Sequence, residues 1–361
     1  MDFVKHFSGI TDYRDQSKIS HLLTDIVGLC LLGTIADCDS YQDIEDFGKH
    51  NELWLRKYLQ LPNGIPSHDT MERMFIHINP LEFNSCFINW VQSSFKFSAT
   101  QLLHLDGKSN RSSMDSYRGK KMLHAVSVFV GKNKLSLSQS MVEEKSNEIT
   151  AIEPLLETLD IKDKTITIDA MGCQKEIAGY IAEQKAYYIL AVKDNQKTLH
   201  QQIETAFSKE TLADTASTLE KDHGRIEERT CSVITDLKFI DEAINWKALY
   251  CVIRLISTRT INGVMSTQTR YFISNNNQLA KFFLYAIRSH WEIENSLHWV
   301  LDMVFKEDLC RKRKHNAAEN FNFIRKMALN IIRQKNDKKS LRRRRKEAAR
   351  STNYLADLLT F

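Results

Sequence analysis

The chain has 361 residues, ample for a buried core and for two domains, and a formal charge of +5 that permits a polyanionic partner without demanding one. Its seven cysteines (30, 38, 86, 173, 231, 251 and 310) are scattered, with no Cys-x2-Cys pair and no Cys/His cluster. That argues against a zinc module and a disulfide framework, and for a reducing compartment, the cytoplasm. The start, Met1 to Lys5, lacks the pattern of a secretion signal, and the most apolar segment, Ile26 to Ala36, is about half of the roughly 20 residues that span a bilayer.

Residues 17–98 read as helical. Leu22, Leu23, Ile26, Val27, Leu29 and Cys30 recur at helical spacing, and Tyr41 to Ile44 opens a second amphipathic stretch. Leu61 to Pro66 is a loop, after which Ser67 is an expected N-cap with Met71, Met74 and Phe75 on one helix face. From about residue 100 strand patterns take over: Leu102 to Asp106, Leu123 to Val130 and Lys134 to Val142, with Gly131-Lys132-Asn133 as a tight turn. A helix (Ile149 to Leu159), a strand (Thr165 to Asp169), a helix (Lys175 to Glu183) and a strand (Tyr187 to Val192) follow, an alternation that predicts an α/β core. Residues 197–280 interrupt it with strand-like runs at Arg225 to Thr235, Ala248 to Ser257 and Ser266 to Ser274, and with the hairpin signal Asn262-Gly263. Helices are expected over 282–304 and 317–334. Residues 336–361 read as a loosely attached basic tail. The units so read are a helical part, 1–98, a catalytic part, 99–335, and that tail.

Three acids stand out. Asp106 and Asp169 each end a short apolar or β-branched run, where open α/β sheets place their ligands. Glu294 falls on a helix stripe with Leu284, Ile287, Trp291 and Leu301, taking about 100° per residue. A carboxylate buried there calls for a compensating cation or hydrogen bonds. Glu292 lies on the other side, one turn from Arg288, where a surface ion pair accounts for it. Two strand-end Asp and a helix Glu suit Mg²⁺ or Mn²⁺, and two such ions about 4 Å apart can clamp a phosphodiester in an in-line displacement. A lone strand-end Asp is more often a turn former; the trio carries the reading.

These residues sit in strings with a specific resemblance: Gly64-Ile65-Pro66-Ser67-His68-Asp69-Thr70, Leu105-Asp106-Gly107-Lys108, Lys145-Ser146-Asn147-Glu148-Ile149-Thr150, Thr167 to Gln174, Val192 to Gln196, His223-Gly224-Arg225 and His290 to Asp302. The chain resembles the H-repeat-associated insertion-sequence transposases, a bacterial branch of the DDE superfamily. The resemblance implies a ribonuclease-H-like catalytic core with a β-rich insertion, preceded by an all-α accessory domain, and Asp106, Asp169 and Glu294 as catalytic and metal-binding triad. It also implies double-stranded DNA as partner (terminal inverted repeats and target), a homodimer on DNA, and a nucleoid location. Aligning on Glu294 puts Ile287, His290 and Leu301 where a related family has Tyr, Arg and Lys. A register on Tyr285, Arg288 and Glu292 fits the first two and puts Trp299 at the Lys; the stripe favours Glu294.

Dense basic blocks occupy Arg311 to Lys314 and Arg342 to Lys346. Charge runs are usually solvated faces, yet five cations without an acid fit phosphate contacts, which confer salt dependence and no base choice. Candidate DNA contacts are Lys108, Lys193, His223, Arg225, His290, Arg342, Arg343, Arg344 and Arg345. Other readings are a nuclease on the same fold, a silent DNA-binding derivative, and, last, a zinc hydrolase on His290, Glu294 and His298, which lacks the His-Glu-x-x-His order.

Overall fold

Caps and apolar periodicity set the helices that open the chain. In this computed structural model, which describes residues 3–96, 102–110, 122–142, 148–222 and 224–360, they are α1 (Phe3–Phe7), α2 (Leu23–Ile35), α3 (Tyr41–Leu55), α4 (His68–His77) and α5 (Pro80–Ser94). Ser40 and Asp43 form a reciprocal capping box at α3. Ser67 caps α4 by accepting from the Thr70 amide at 3.3 Å, and Pro80 opens α5 behind an Asn79 cap. Helix α2 is apolar on nearly every face and is buried accordingly.

Strands β1 (Leu102–Asn110), β2 (Leu123–Val130) and β3 (Leu135–Val142) form an antiparallel meander. Helix α6 (Glu148–Glu157), β4 (Thr165–Ile168), α7 (Lys175–Glu183) and β5 (Tyr187–Val192) follow, with β1, β4 and β5 parallel neighbours. One expectation needs correcting: β1 does not end at Asp106. Its parallel pairing with β4 stops at Leu105↔Ile168, but its antiparallel pairing with β2 runs on through Asp106↔Ser127 to Asn110. The carboxylate has left one ladder and keeps the other.

After α8 (Lys197–Lys209), the interruption proves to be four long strands, β6 (Asp214–Asp222), β7 (Arg225–Ile234), β8 (Cys251–Ile261) and β9 (Val264–Ser274). Strand β9 pairs with β5, so the insertion lengthens the same sheet, in the order β3-β2-β1-β4-β5-β9-β8-β7-β6. Strand β6 escaped the sequence reading because it is a polar edge strand, alternately half-buried and exposed. The Asn262-Gly263 signal holds, both residues having positive φ (50° and 80°) as a tight hairpin turn needs.

Helix α9 (Ala280–Glu292) runs into a π-helical turn, Ile293–His298, and then α10 (Trp299–Met303). Helix α11 (Ala317–Gln334) is buried almost end to end, packed against α2, α4, α5 and β3. One hydrophobic cluster therefore runs from Phe7 through the sheet to Leu359, continuous across residue 98.

The last residues differ from the loose tail expected. They form α12 (Leu341–Arg350) and α13 (Thr352–Leu358), which dock on α11 through Ala348, Leu355 and Leu358. Helical winding turns Arg342, Arg343 and Lys346 outward and Arg344 and Arg345 inward. Arg345, 1% exposed, donates to the carbonyls of Thr34 (3.1 Å) and Val304, pairs with Asp37 at 3.2 Å and Asp39 at 3.4 Å, and stacks on Phe305. Arg344 is held by Asp337 and the Ile332 carbonyl. Arg345→Ala is expected to lower unfolding free energy by about 3 kcal/mol, because it strands Asp37 and two carbonyls and leaves Asp39 to Lys306 alone. Arg342→Ala should stay within about 0.5 kcal/mol of the parent. Urea unfolding of the two variants measures both.

Candidate active site

The end of the β1–β4 parallel ladder sets the site. Leu105 and Ile168 are register partners, so the residues that follow them, Asp106 and Asp169, emerge side by side from adjacent strands. The Asp169 carboxylate is turned by a 3.4 Å hydrogen bond from the Gly172 amide, and that of Asp106 by a 2.9 Å bond from the Gly107 amide. Glu294 approaches from the π-helical turn. Ligand atoms of Asp106, Glu294 and His298 all lie within 4.8 Å of one another. Asp106, Asp169 and Glu294 line one cavity of about 400 Å³ with Lys193, Arg270, His290 and Trp291.

Glu294 reaches this place for a reason other than the one read from the sequence. Leu284, Ile287 and Leu301 of the stripe are buried, but Trp291 is 53% exposed and the Glu294 side chain 55%, so the middle of the stripe opens on the cavity and Glu294 is not a buried carboxylate. The π turn that begins at Ile293 takes an extra residue per turn, so the 100° rule fails for residues beyond it, such as Leu301. The expected Arg288–Glu292 pair is also absent: Arg288 binds Glu220 on β6, and Glu292 turns toward a groove between the inserted strands and α9.

Charge crowding dominates the electrostatics. Burial, then the Asp169 and Glu294 carboxylates, push Asp106 up to about 7. Glu294 is held below the usual carboxylate range, chiefly by its hydrogen bond from His298. A fourth acid, Glu148 at the start of α6, packs under Gly107, where a Cβ would collide with its carboxylate. Hard-oxygen donors crowded to this degree fit a divalent cation, which would offset their mutual repulsion.

Behind the acids lie cations. Lys108, on the same face of β1 as Asp106, is held by Asp302 and Glu307. Lys326, buried on α11, donates to the Ser127 hydroxyl at 2.8 Å, and Ser127 is the strand partner of Asp106. Deeper still, the Thr167 hydroxyl sits between His104 Nδ1 (2.7 Å) and His290 Nδ1 (2.8 Å), donating to one and accepting from the other. Burial takes His290 down to about 4, leaving it neutral.

In front, the cavity opens into the groove, of about 780 Å³, between the inserted strands and α9; Gln268, Arg270 and Trp291 line both. Alternation along the strands turns Arg225, Arg229, Arg259 and Arg270 to this face, and α9 adds Arg288. A single buried carboxylate, Glu227, is shared by Arg229 (2.6 Å), Arg225 (3.3 Å) and Arg259 (3.3 Å), so the cluster keeps an excess of positive charge.

Sequence comparison bears on this arrangement. The profile described as Transposase DDE domain matches residues 94–331, and the one described as DDE_Tnp_1-associated matches residues 4–91. The chain belongs to the family of transposases with a DDE domain. It is 42% identical to "Putative transposase YncI" of Escherichia coli O157:H7 over 98% of this chain and 93% of that one. It is 41% identical to "H repeat-associated putative transposase YhhI" of Escherichia coli K12, over 99% and 97%. A short relative, 39% identical over 20% of this chain, is named "Inactive transposase YbfQ". The piggyBac transposase, solved as a synaptic complex with hairpin DNA, aligns over 97% of this chain and 76% of its own at 10% identity, with a TM-score of 0.44, too low to bear on fold or partner.

The remaining expected residues divide. Lys193 is exposed at the cavity mouth, and Arg225 lies in the groove. Arg342 and Arg343 are exposed on α12, whereas Lys108, His290, Arg344 and Arg345 are engaged internally. His223 and Lys145 to Asn147 lie outside the described residues. Arg229, Arg259 and Arg270 were missed because their common face exists only once the strands are paired. The seven cysteines are all free, and burial pushes the Cys173 thiol up to about 12. Among the described residues, no helix is long and apolar enough to cross a membrane.

The Asp106 shift has a measurable sign. Its folded value near 7 lies above the ordinary 3.8, so the contribution of this group to stability is full below pH 4 and is lost as pH rises toward 7. Asp106→Asn should therefore raise the melting temperature of the metal-free protein at pH 8 and leave it nearly unchanged at pH 4. Calorimetry in chelator at the two pH values checks this.

Proposed function

We propose that the chain is a DNA transposase that cleaves and transfers strands at insertion-sequence ends, with Asp106, Asp169 and Glu294 as its metal-binding catalytic triad. The observation that carries this reading is the convergence of the three acids in one cavity that continues into an arginine-lined groove. The strand order β3-β2-β1-β4-β5, an antiparallel meander followed by parallel strands, supports a ribonuclease-H-like core. Bound Mg²⁺ or Mn²⁺ supplies charge neutralisation and an acidified water at such a site.

The chain's own residues do the rest. Asp106, Asp169 and Glu294 would hold the ions. Arg270, stacked 5.7 Å from Trp291, and Lys193 flank the cavity and balance the phosphate charge. The arginines of the groove hold the backbone that leads into it, and two copies on DNA would hold two ends. Both chemical steps, water attack at the element's end and attack of the released 3′-hydroxyl on target DNA, are in-line phosphoryl transfers served by positioning and charge.

Glu294→Gln should abolish Mg²⁺-dependent strand cleavage while DNA binding persists, and Glu292→Gln should be mild. Parallel cleavage assays decide between the two acids, and the reverse outcome would move the third acid to Glu292. A strand-transfer assay on the parent separates a transposase from a nuclease of the same fold.

Groove and α12 arginines are expected to bind backbone phosphates. Arg259→Gln should weaken binding to end-containing and random DNA alike, and flatten the dependence of log affinity on log salt by up to about 0.9 for each phosphate no longer neutralised. Titrations at several salt concentrations test it, with Arg342→Gln and Arg343→Gln measured in parallel; an unchanged slope in all three removes these residues from the interface.

A further inference from the structure

Among the described residues, His298 is the one side chain that touches two of the three acids from inside the core. Its side chain is 3% exposed, and its Nδ1 lies 3.2 Å from Glu294 Oε2 and 3.5 Å from Asp106 Oδ2. Ligand atoms of Asp106, Glu294 and His298 all lie within 4.8 Å of one another, little more than the roughly 4.2 Å between opposite ligands of one Mg²⁺ at about 2.1 Å each. The other ring nitrogen, Nε2, is buried with no hydrogen-bond partner.

The two nitrogens settle the tautomer. The ring sits in the field of the Lys108 ammonium and of Lys326, both of which disfavour added positive charge there. A proton on Nε2 would be a buried donor with nothing to accept it, set against those positive charges. A lone pair there is the better-tolerated state, which leaves the proton on Nδ1, facing two carboxylates. An Nδ1 that carries a proton cannot ligate a metal.

We infer that His298 is a positioning residue whose Nδ1–H is shared by Glu294 and Asp106, holding the two carboxylates within the span of a single cation. The inference rests on the metal-site reading above. Glu294 needs such a tether: it projects from a π turn, its side chain is half exposed, and Asp106 repels it. His298, anchored at the other end of the same turn, supplies from the core an N–H that offsets part of that repulsion. The π turn so found at the site fits the habit of π-bulges to mark functional positions.

The test uses the full chain without DNA and reads free Mn²⁺ by electron paramagnetic resonance during titration. Asn and Gln make a discriminating pair, since the Asn amide reaches the place of Nδ1 and the Gln amide that of Nε2; both remain polar and neutral, and melting curves establish that each variant folds. His298→Gln should weaken Mn²⁺ binding about tenfold, as loss of a residue that orients a ligand does, and His298→Asn should retain most of the affinity. The Mg²⁺ concentration for half-maximal cleavage should move in parallel, with the rate recovered at high Mg²⁺. Unchanged Mn²⁺ binding in His298→Gln, or equal loss in both variants, overturns the clamp. Asp106→Asn is the control: if it binds Mn²⁺ as the parent does, the metal-site reading itself fails and the clamp falls with it.

Discussion

Like charges forced together at the end of a parallel ladder are the constraint on which this structure turns. Asp106 and Asp169 are neighbours because Leu105 and Ile168 are, and no side-chain rotation can take them far apart. Glu294 and Glu148 add to the crowd from helices. The fold answers with cations placed behind the sheet. Lys108 and Lys326 stand on the inner side, themselves kept in place by Glu307, which is buried and hydrogen-bonded to Lys108. Burial brings the Lys326 ammonium down to about 7 against the pull of Glu307. Such a network is poor stabilisation by itself, since buried ion pairs seldom outweigh their desolvation. Its use lies in the potential it sets under the acids.

The same alternation that fills the core also makes the groove. Along β7, β8 and β9 one face carries Cys231, Val233, Ile253, Leu255 and Phe272, which pack under Phe283, Leu284 and Ile287 of α9. Farther along those strands, beyond the cover of the helix, the same face carries Arg225, Arg229, Arg259 and Arg270. A continuous sheet from β1 to β6 thus links a packed interior, an acidic cavity and a basic groove with no hinge between them. Preorganisation of that kind matters where catalysis rests on positioning and charge.

Helix α11 ties the remaining parts to this sheet. It is buried on most faces, yet it carries Asn320, Arg325, Lys326 and Asn330 as well as apolar residues. Asn320 bonds the carbonyls of Phe75 and Ile78, and Asn330 bonds Ser136 of β3. The two amide nitrogens thereby reach different elements, and the helix joins the N-terminal helices to the sheet. The C-terminal helices complete the arrangement through Arg345, whose guanidinium reaches the end of α2 and the segment after α10.

Local chemistry was legible in the chain itself. The meander, the helix–strand alternation, the Ser67 cap and the Asn262-Gly263 turn follow from short-range periodicity and turn propensity, and all hold. Asp106, Asp169 and Glu294 could be singled out by type and context, and the structure gathers them. What the tertiary structure alone decided were matters of cover and pairing. The burial argument for Glu294 failed because the stripe that starts on α9 faces a cavity at its middle, leaving Trp291 and Glu294 exposed while Leu284, Ile287 and Leu301 are covered. Strand β6, with a weak alternating pattern, exists because β7 offers it an edge. The block Arg342 to Lys346 looks uniformly basic in sequence, but winding and docking bury two of its arginines and leave three cations outside. Residue type and spacing act over a few residues and can be read from the chain; which face is covered depends on segments hundreds of positions away, and only packing reveals it.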